Sequence, residues 1–361
     1  MVPFLYLLVP PFERTTAGGL VFAPISGVAA LIAVPVCWLY NRIFSAPLFG
    51  MCREEDEIHT RTRREPMPIE HALVNLMGRL EQDRSLDEPR HLRKRVEALD
   101  DLDACLPDGQ PIGTALHRRA RAIYDELESV NSRLYQAIRQ DIQRGAGGGR
   151  LLEWMPDWNA AANFMNCRGY DYLDELISGV LRFEEPSTEV LSLESEMVSY
   201  QPTPARHIFD LIGRTALTER DFLVDLGSGL GHVTLMASIC TSASCTGIEL
   251  EPSYVDCARK SARSLKLNDV RFIQGDARAA DLSDGTVFYL YTPFIGTILG
   301  EVLNSLRHEA VRREIRICTF GPCTRVVAEE QWLSVMGALE ADRIAIFRSR
   351  YQTLGPGQVA K

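Results

Sequence analysis

A chain of 361 residues is too long for one small domain and long enough to bury a full α/β core together with a second unit. Its 46% hydrophobic and 24% charged residues are those of an ordinary folded protein. A formal net charge of -9 argues against a protein whose main task is to grip nucleic-acid phosphates, while leaving open a basic patch on one face, a small substrate or a protein substrate.

Residues 15–41 carry no charge, and residues 20–40 are almost wholly apolar, long enough to cross a hydrocarbon layer of about 30 Å. Trp38 and Tyr40 followed by Arg42 suit an interfacial belt with a positive cytoplasmic flank. Pro24 and Pro35 interrupt the run, and residues 1–12 form a second apolar stretch without a basic start. A single membrane anchor is therefore favoured for residues 1–52, against a packed or disordered extension and, least, a cleaved signal.

Residues 53–145 turn charged and helical. Ile69, Leu73, Leu76, Met77 and Leu80 recur at three- and four-residue spacing, as do Leu116, Ala120, Ile123, Leu127 and Val130. The arginine-rich stretches at 61–64, 90–95 and 118–121 are interleaved with acids, as on a solvated helix face. The glycine run at 145–149 reads as a flexible linker, and residues 170–183 as a further amphipathic helix, so that 146–199 form a linker and helical lid.

From residue 200 onward, apolar strands alternate with helices. Strands are expected at 221–226, 245–250, 270–274, 286–291 and 314–320, with helices at 233–240, 254–265 and 300–313. Residues 326–333 and 343–351 look like two closing strands. The sum is an α/β domain over 200–361: a mostly parallel seven-stranded sheet with helices on both faces, preceded by an α-helical domain. The nine cysteines are scattered; the pairs Cys240/Cys245 and Cys318/Cys323 are too widely spaced for a zinc ribbon and lack nearby histidine pairs, so no metal site is expected.

Chemistry concentrates where the first strand of this domain runs into a glycine-rich turn: Asp225, Leu226, Gly227, Ser228, Gly229, Leu230, Gly231, His232. Such a turn lets backbone approach a ligand closely, and nicotinamide and flavin enzymes use one too. Here the spacing is G-x-G-x-G, and the carboxylate of Asp225 would repel a pyrophosphate but attract the ammonium of a methionine group. Glu249 ends the next strand, where a carboxylate can accept both hydroxyls of a ribose, and Asp276 with Ala277 follows the third, within reach of an adenine amino group. Acidic or glycine-rich sites at three successive strand ends point to S-adenosyl-L-methionine.

With those residues in place, the stretch from 200 to about 351 resembles the Rossmann-like class I S-adenosylmethionine-dependent methyltransferases. Residues 222–235 (FLVDLGSGLGHVTL) are similar to the histone-lysine methyltransferases that lack a SET domain. Tyr200, Gln201, Pro202, Thr203 and Pro204 resemble the loop those enzymes fold over the amino-acid end of the cofactor. The resemblance implies Tyr200, Thr203, Asp225, Gly227, Ser228, Gly229 and Gly231 around the methionine part, Glu249 on the ribose, and Asp276 with the Ala277 backbone on adenine. It covers under half of the chain. An intracellular cofactor also implies a cytoplasmic catalytic domain.

At the fourth strand end stand Tyr291, Thr292, Pro293 and Phe294. Amino-methylating members of the class often carry an amide or acid there, then Pro-Pro and an aromatic residue. Thr292 replaces the first proline and Tyr291 the amide or acid, so only backbone carbonyls and Phe294 are left to orient an amine. Because the methyl donor carries a good leaving group, proximity and alignment suffice and no strong general base is expected. His232 reads as a helix-start contact. The leading function is N-methylation of a protein side chain, with lysine favoured by the resemblance. A small-molecule or lipid methyltransferase and a non-catalytic cofactor sensor are the alternatives. The sequence carries no strong nucleic-acid signal, and membrane contact rests on residues 20–40.

Overall fold

The computed structural model describes residues 69–106, 115–155, 170–184, 186, 193–340 and 342–350. The apolar segment 1–52 and its anchor assignment lie outside the described residues, as does most of the segment between residues 156 and 192. Among the described residues, no helix is long and apolar enough to cross a membrane.

Three helices open the described chain: α1 (Ile69–Gln82), α2 (Leu92–Cys105) and α3 (Ala115–Gln143). Their apolar stripes meet in one cluster containing Leu73, Met77, Leu99, Leu102 and Leu127, as the three- and four-residue spacing requires. Within the arginine-rich stretches, Arg95 departs from the expected solvated face. It is fully buried, and its guanidinium donates to the carbonyls of Leu86 (3.0 Å), Glu88 (2.6 Å) and Pro89 (3.0 Å) and to Asn131 Oδ1 (2.6 Å). Burying that charge is tolerable only because its donors find acceptors.

The glycine run is not a flexible linker. After Gly145, at φ 78°, the chain forms helix α4 (Gly147–Leu152). Here glycine serves packing. A Cβ on Gly147 would stand 2.1 Å from Ile142 Cγ1, and one on Gly148 would stand 2.5 Å from the Ile239 carbonyl oxygen. Close backbone approach between neighbouring helices overrides the low helix propensity of glycine.

Helix α5 (Tyr172–Leu181) begins with a capping box, Asp171 accepting from the Leu173 amide (2.8 Å) and Asp174 from the Asp171 amide (2.7 Å). Helix α6 (Ala205–Thr215) then leads into a seven-stranded sheet of order β3-β2-β1-β4-β5-β7-β6. The strands are β1 (Phe222–Leu226), β2 (Ser244–Glu249), β3 (Val270–Gln274), β4 (Val287–Leu290), β5 (Arg316–Thr319), β6 (Leu333–Val335) and β7 (Ala345–Ser349). The first five are parallel, and β7 runs antiparallel to both β5 and β6. Helices α7 (His232–Cys240), α8 (Pro252–Ser264) and α9 (Gly296–Arg312) connect them.

One correction falls at the end of the sheet. The first half of the strand expected at 326–333 is helix α10 (Cys323–Ala328), and only Leu333 begins β6. Gly321, at φ 80°, and Pro322 at the N-cap start the helix. Cys323 and Val327, four apart, are buried while Val326 is half exposed, a helical rather than an alternating pattern.

The two sheet faces bury different clusters. On one, Val224, Leu226, Phe288 and Leu290 pack on Ile298, Val302 and Leu306 of α9. On the other, Leu223, Cys245 and Tyr289 share a core with Ile208 and Phe209 of α6, Leu173 and Leu176 of α5, and Tyr135, Ile138 and Ile142 of α3. The second half of α3 is thus continuous with the core of the sheet. Full burial of each such side chain contributes about 1.5–3 kcal/mol.

Candidate active site

The strand order reverses between β1, which continues toward β2, and β4, which continues toward β5. Beyond the carboxyl ends of these strands lies a cavity of about 820 Å³, in the upper part of the roughly 300–1,000 Å³ usual for ligand sites and where open α/β sheets bind them. Tyr200, Thr203, Asp225, Gly227, Ser228, Glu249, Asp276, Ala277, Tyr291, Thr292, Pro293 and Phe294 all line it. Gly229 and Gly231 do not: they shape the wall from behind.

Gly229 shows why. It has φ 53°, and a Cβ there would lie 2.0 Å from Cε2 of Tyr200, whose ring fills the notch the glycine leaves. The Gly229 amide turns away to donate to Glu249 Oε2 (2.8 Å). Gly231 makes room for Phe272 and Ala258, a helix-on-strand contact. Gly227 seats Pro293, whose Cβ would be 2.3 Å from an added one, so the first turn and the fourth are packed together through missing side chains.

Asp225 is buried, accepts from Thr234 Oγ1 (3.0 Å) and lies beside Tyr289 in the sheet register. Burial, with Glu249 nearby as a further carboxylate, pushes its carboxyl up to about 7. The Tyr289 hydroxyl is held by Thr203 Oγ1 (2.9 Å). Ser228 Oγ is buried and has no hydrogen-bond partner among the described residues. Ser228 lines the cavity with Asp225, while its Oγ is turned against Gly247 of β2; the buried carboxyl of Asp225 on the wall fits a ligand with an amino-acid end.

Glu249 is held in place before any ligand arrives. Its Oε2 accepts from Gly229 and its Oε1 from the Glu251 amide (2.9 Å), leaving further lone pairs for the hydroxyls of a ribose. Asp276 is more occupied than the sequence suggests. It accepts the Arg278 amide (2.8 Å) and pairs with the Arg278 guanidinium (2.6 Å), which holds its carboxyl below the usual range. The acidic set at three successive strand ends fits S-adenosylmethionine.

The turn after β4, expected to face the methyl acceptor, is strained. Thr292 has φ 42°, a left-handed conformation costing a β-branched residue about 1–3 kcal/mol. Its hydroxyl donates to the Phe320 carbonyl (2.9 Å) and accepts the Cys323 amide (3.1 Å), so this side chain holds the turn rather than facing an acceptor. The Pro293 carbonyl accepts the Val198 amide (3.0 Å). The Tyr291 and Phe320 rings pack at a tilt of 40° with centroids 4.9 Å apart.

Sequence reasoning missed Tyr254, Tyr289 and Phe320, which also line the cavity; aromatic residues at strand and helix ends carry no spacing signal. His232 is the first residue of α7, as its helix-start reading requires. It is buried, contacts the Tyr200 hydroxyl through Nδ1 (3.1 Å) and is pushed down to about 4 by burial, so it is neutral at physiological pH. The lining follows the sheet order: the carboxylates Asp225, Glu249, Glu251 and Asp276 lie at or just after the ends of β1, β2 and β3, whereas Tyr291, Phe294, Phe320 and Pro322, which follow β4 and β5, make an apolar half.

Residues 223–311 match the family model described as a methyltransferase domain. The chain is 30% identical over 175 residues to an H3 lysine-79-specific histone-lysine N-methyltransferase of Cryptococcus neoformans, covering 42% of this chain and 26% of that protein. It is 34% identical over 91 residues to the release factor glutamine methyltransferase of Vibrio cholerae, covering 25% and 31% respectively. It therefore spans well under half the length of these curated relatives. Similar solved structures include an RNA methyltransferase from Salinibacter ruber in complex with S-adenosyl-L-homocysteine, at 25% identity over 45% of this chain and 100% of that one, with a TM-score of 0.34.

Proposed function

Because the chain carries a class I S-adenosylmethionine-dependent methyltransferase domain, we propose that it methylates an amine on a protein side chain, of the kind lysine carries. The cofactor would supply an electrophilic methyl group on a sulfonium. Asp225, Thr203 and Ser228 hold its amino-acid end, Glu249 its ribose, and Asp276 with the Ala277 backbone its adenine. These contacts leave the methyl donor between the charged half of the cavity and the aromatic half.

The observation that carries the reading is the division of the cavity. Among the described residues, the acceptor half is lined by aromatic and aliphatic groups without a carboxylate. Such a lining accommodates the long aliphatic stem of a lysine. It also favours the amine in its neutral, nucleophilic form, because desolvation disfavours the ammonium. With the nitrogen aligned, proximity supplies the rate and no base on the protein is needed. The names of the two curated relatives, a histone-lysine and a release-factor methyltransferase, support a protein acceptor.

The same apolar half favours one other acceptor, a small apolar molecule, since Leu193, Val198 and Ile295 stand half exposed on and beside its rim. Mass spectrometry separates the two after the full chain is incubated with cell extract and S-adenosylmethionine. New methyl-lysine in proteins supports the protein acceptor. A methylated metabolite with unchanged proteins supports the small one, and cofactor binding without either product leaves a sensor. In this reading the apolar run at 20–40 holds a cytoplasmic catalytic domain to a membrane, which fractionation of cells expressing the full chain tests.

A further inference from the structure

Resting on the cofactor-binding reading above, we infer that Glu196 is a positioning residue: it latches residues 193–200 as a strap across the cavity and thereby sets both the rate of cofactor exchange and the wall the acceptor meets. Most of the strap is exposed, with Glu196, Met197 and Tyr200 partly buried. Polar contacts together with the packing of Met197 and Tyr200 hold it, at Glu196, at the acceptor turn and at its two ends.

The first is Glu196 itself. The N-cap of helix α9 is Ile295, which provides no side-chain cap; four orphan amides at such a start need acceptors. Glu196, a hundred residues earlier, provides one. Its Oε2 accepts the Ile298 amide (3.0 Å) and its Oε1 the Thr297 hydroxyl (3.3 Å), while its backbone carbonyl accepts the Ile295 amide (2.8 Å). A carboxylate at a helix N-terminus is also favoured by the helix dipole. The fit is close: Gly296 has φ 57°, and a Cβ there would lie 2.4 Å from Glu196 Oε1.

The second attachment is to the acceptor turn. Met197 pairs with Phe294 in an antiparallel bridge, and the Val198 amide donates to the Pro293 carbonyl. The third lies at the two ends. Glu194 pairs with Arg278 (2.7 Å), which also holds Asp276, and Tyr200 fills the Gly229 notch and reaches His232. The strap therefore touches the adenine side, the methionine side and the acceptor turn at once, and Met197 and Val198 form part of the cavity wall. With these contacts made, cofactor exchange requires the strap to lift, and the acceptor wall is complete only when it is down.

Stopped-flow binding of S-adenosylhomocysteine to the full chain tests this, with Glu196→Ala and Glu196→Gln compared to the unaltered protein. Loss of a helix cap loosens what it holds by about five- to tenfold in equilibrium terms. Glu196→Ala is therefore expected to speed both dissociation and association by about that factor, with the dissociation constant changing less. Glu196→Gln, which keeps an acceptor for the Ile298 amide, should restore most of the slow exchange. Hydrogen exchange should rise in residues 193–200 and 295–299 of the alanine variant and not in β1 to β4. Rates unchanged in Glu196→Ala, with cofactor still bound, overturn the inference. A slower association with global loss of protection also overturns it, since that marks a merely structural role. Absence of cofactor binding by the unaltered chain refutes the underlying reading instead.

Discussion

Replacing Asp225 by asparagine separates what this side chain costs the fold from what it gives the ligand. Its carboxyl is buried and raised from 3.8 to about 7, so the folded protein holds a proton that the unfolded chain releases. A group raised in this way contributes stability that is fully present below its ordinary value and lost as pH rises through about 7. The difference of about three units corresponds to a penalty of at most about 4 kcal/mol above neutrality. Asparagine keeps the shape and can still accept from Thr234, so Asp225→Asn should be more stable than the unaltered protein above pH 7 and equal to it near pH 4, the difference growing between. Binding should change in the opposite sense. An ammonium at Asp225 needs the ionised form, so affinity for S-adenosylhomocysteine should fall as pH drops below about 7, by up to about tenfold per pH unit. Calorimetry from about pH 5.5 to about 7.5 reads this directly, and thermal unfolding over the same range reads stability. A flat affinity profile, or Asp225→Asn binding as tightly as the unaltered chain, refutes the placement of the methionine end.

Other perturbations test other parts of the account. Gly229→Ala drives a Cβ into the Tyr200 ring at a positive φ; it should destabilise by about 1–3 kcal/mol and weaken cofactor binding, seen in parallel by thermal shift and calorimetry. Glu249→Gln places an amide against the Gly229 and Glu251 N–H groups that now donate to its oxygens; affinity for S-adenosylhomocysteine should drop by about tenfold or more, and an unchanged value would remove Glu249 from the ribose contact. Gly148→Ala should cost about 1–3 kcal/mol in denaturant unfolding because its Cβ meets the Ile239 carbonyl. No loss there would restore the flexible-linker reading.

The sheet was readable because buried parallel strands and their helices leave an unambiguous alternation of apolar runs and periodic segments, and β3 falls on the residues expected, Val270–Gln274. Asp225, Glu249 and Asp276 were readable because backbone topology places them at consecutive strand ends. What was not legible depends on contacts distant in sequence. Gly147 and Gly148 look like a linker until Ile142 and Ile239 are seen against them. Gly229 and Gly231 look like ligand contacts until Tyr200 and Phe272 are seen filling their notches. Val326 and Val327 look like a strand until Gly321 and Pro322 turn the chain into a helix. Thr292 looks like an acceptor contact until its hydroxyl is found between Phe320 and Cys323. Glu196 carries no signal at all, since its partner amides lie a hundred residues away.

Methyl transfer from S-adenosylmethionine to a protein side chain can be read by incubating the full chain with methyl-radiolabelled S-adenosylmethionine and a cell extract and dividing the products into protein, nucleic-acid and organic-soluble fractions. Label should enter the protein fraction and be lost with Asp225→Asn. Label confined to the organic-soluble or nucleic-acid fraction, or protein label that survives the substitution, would contradict it.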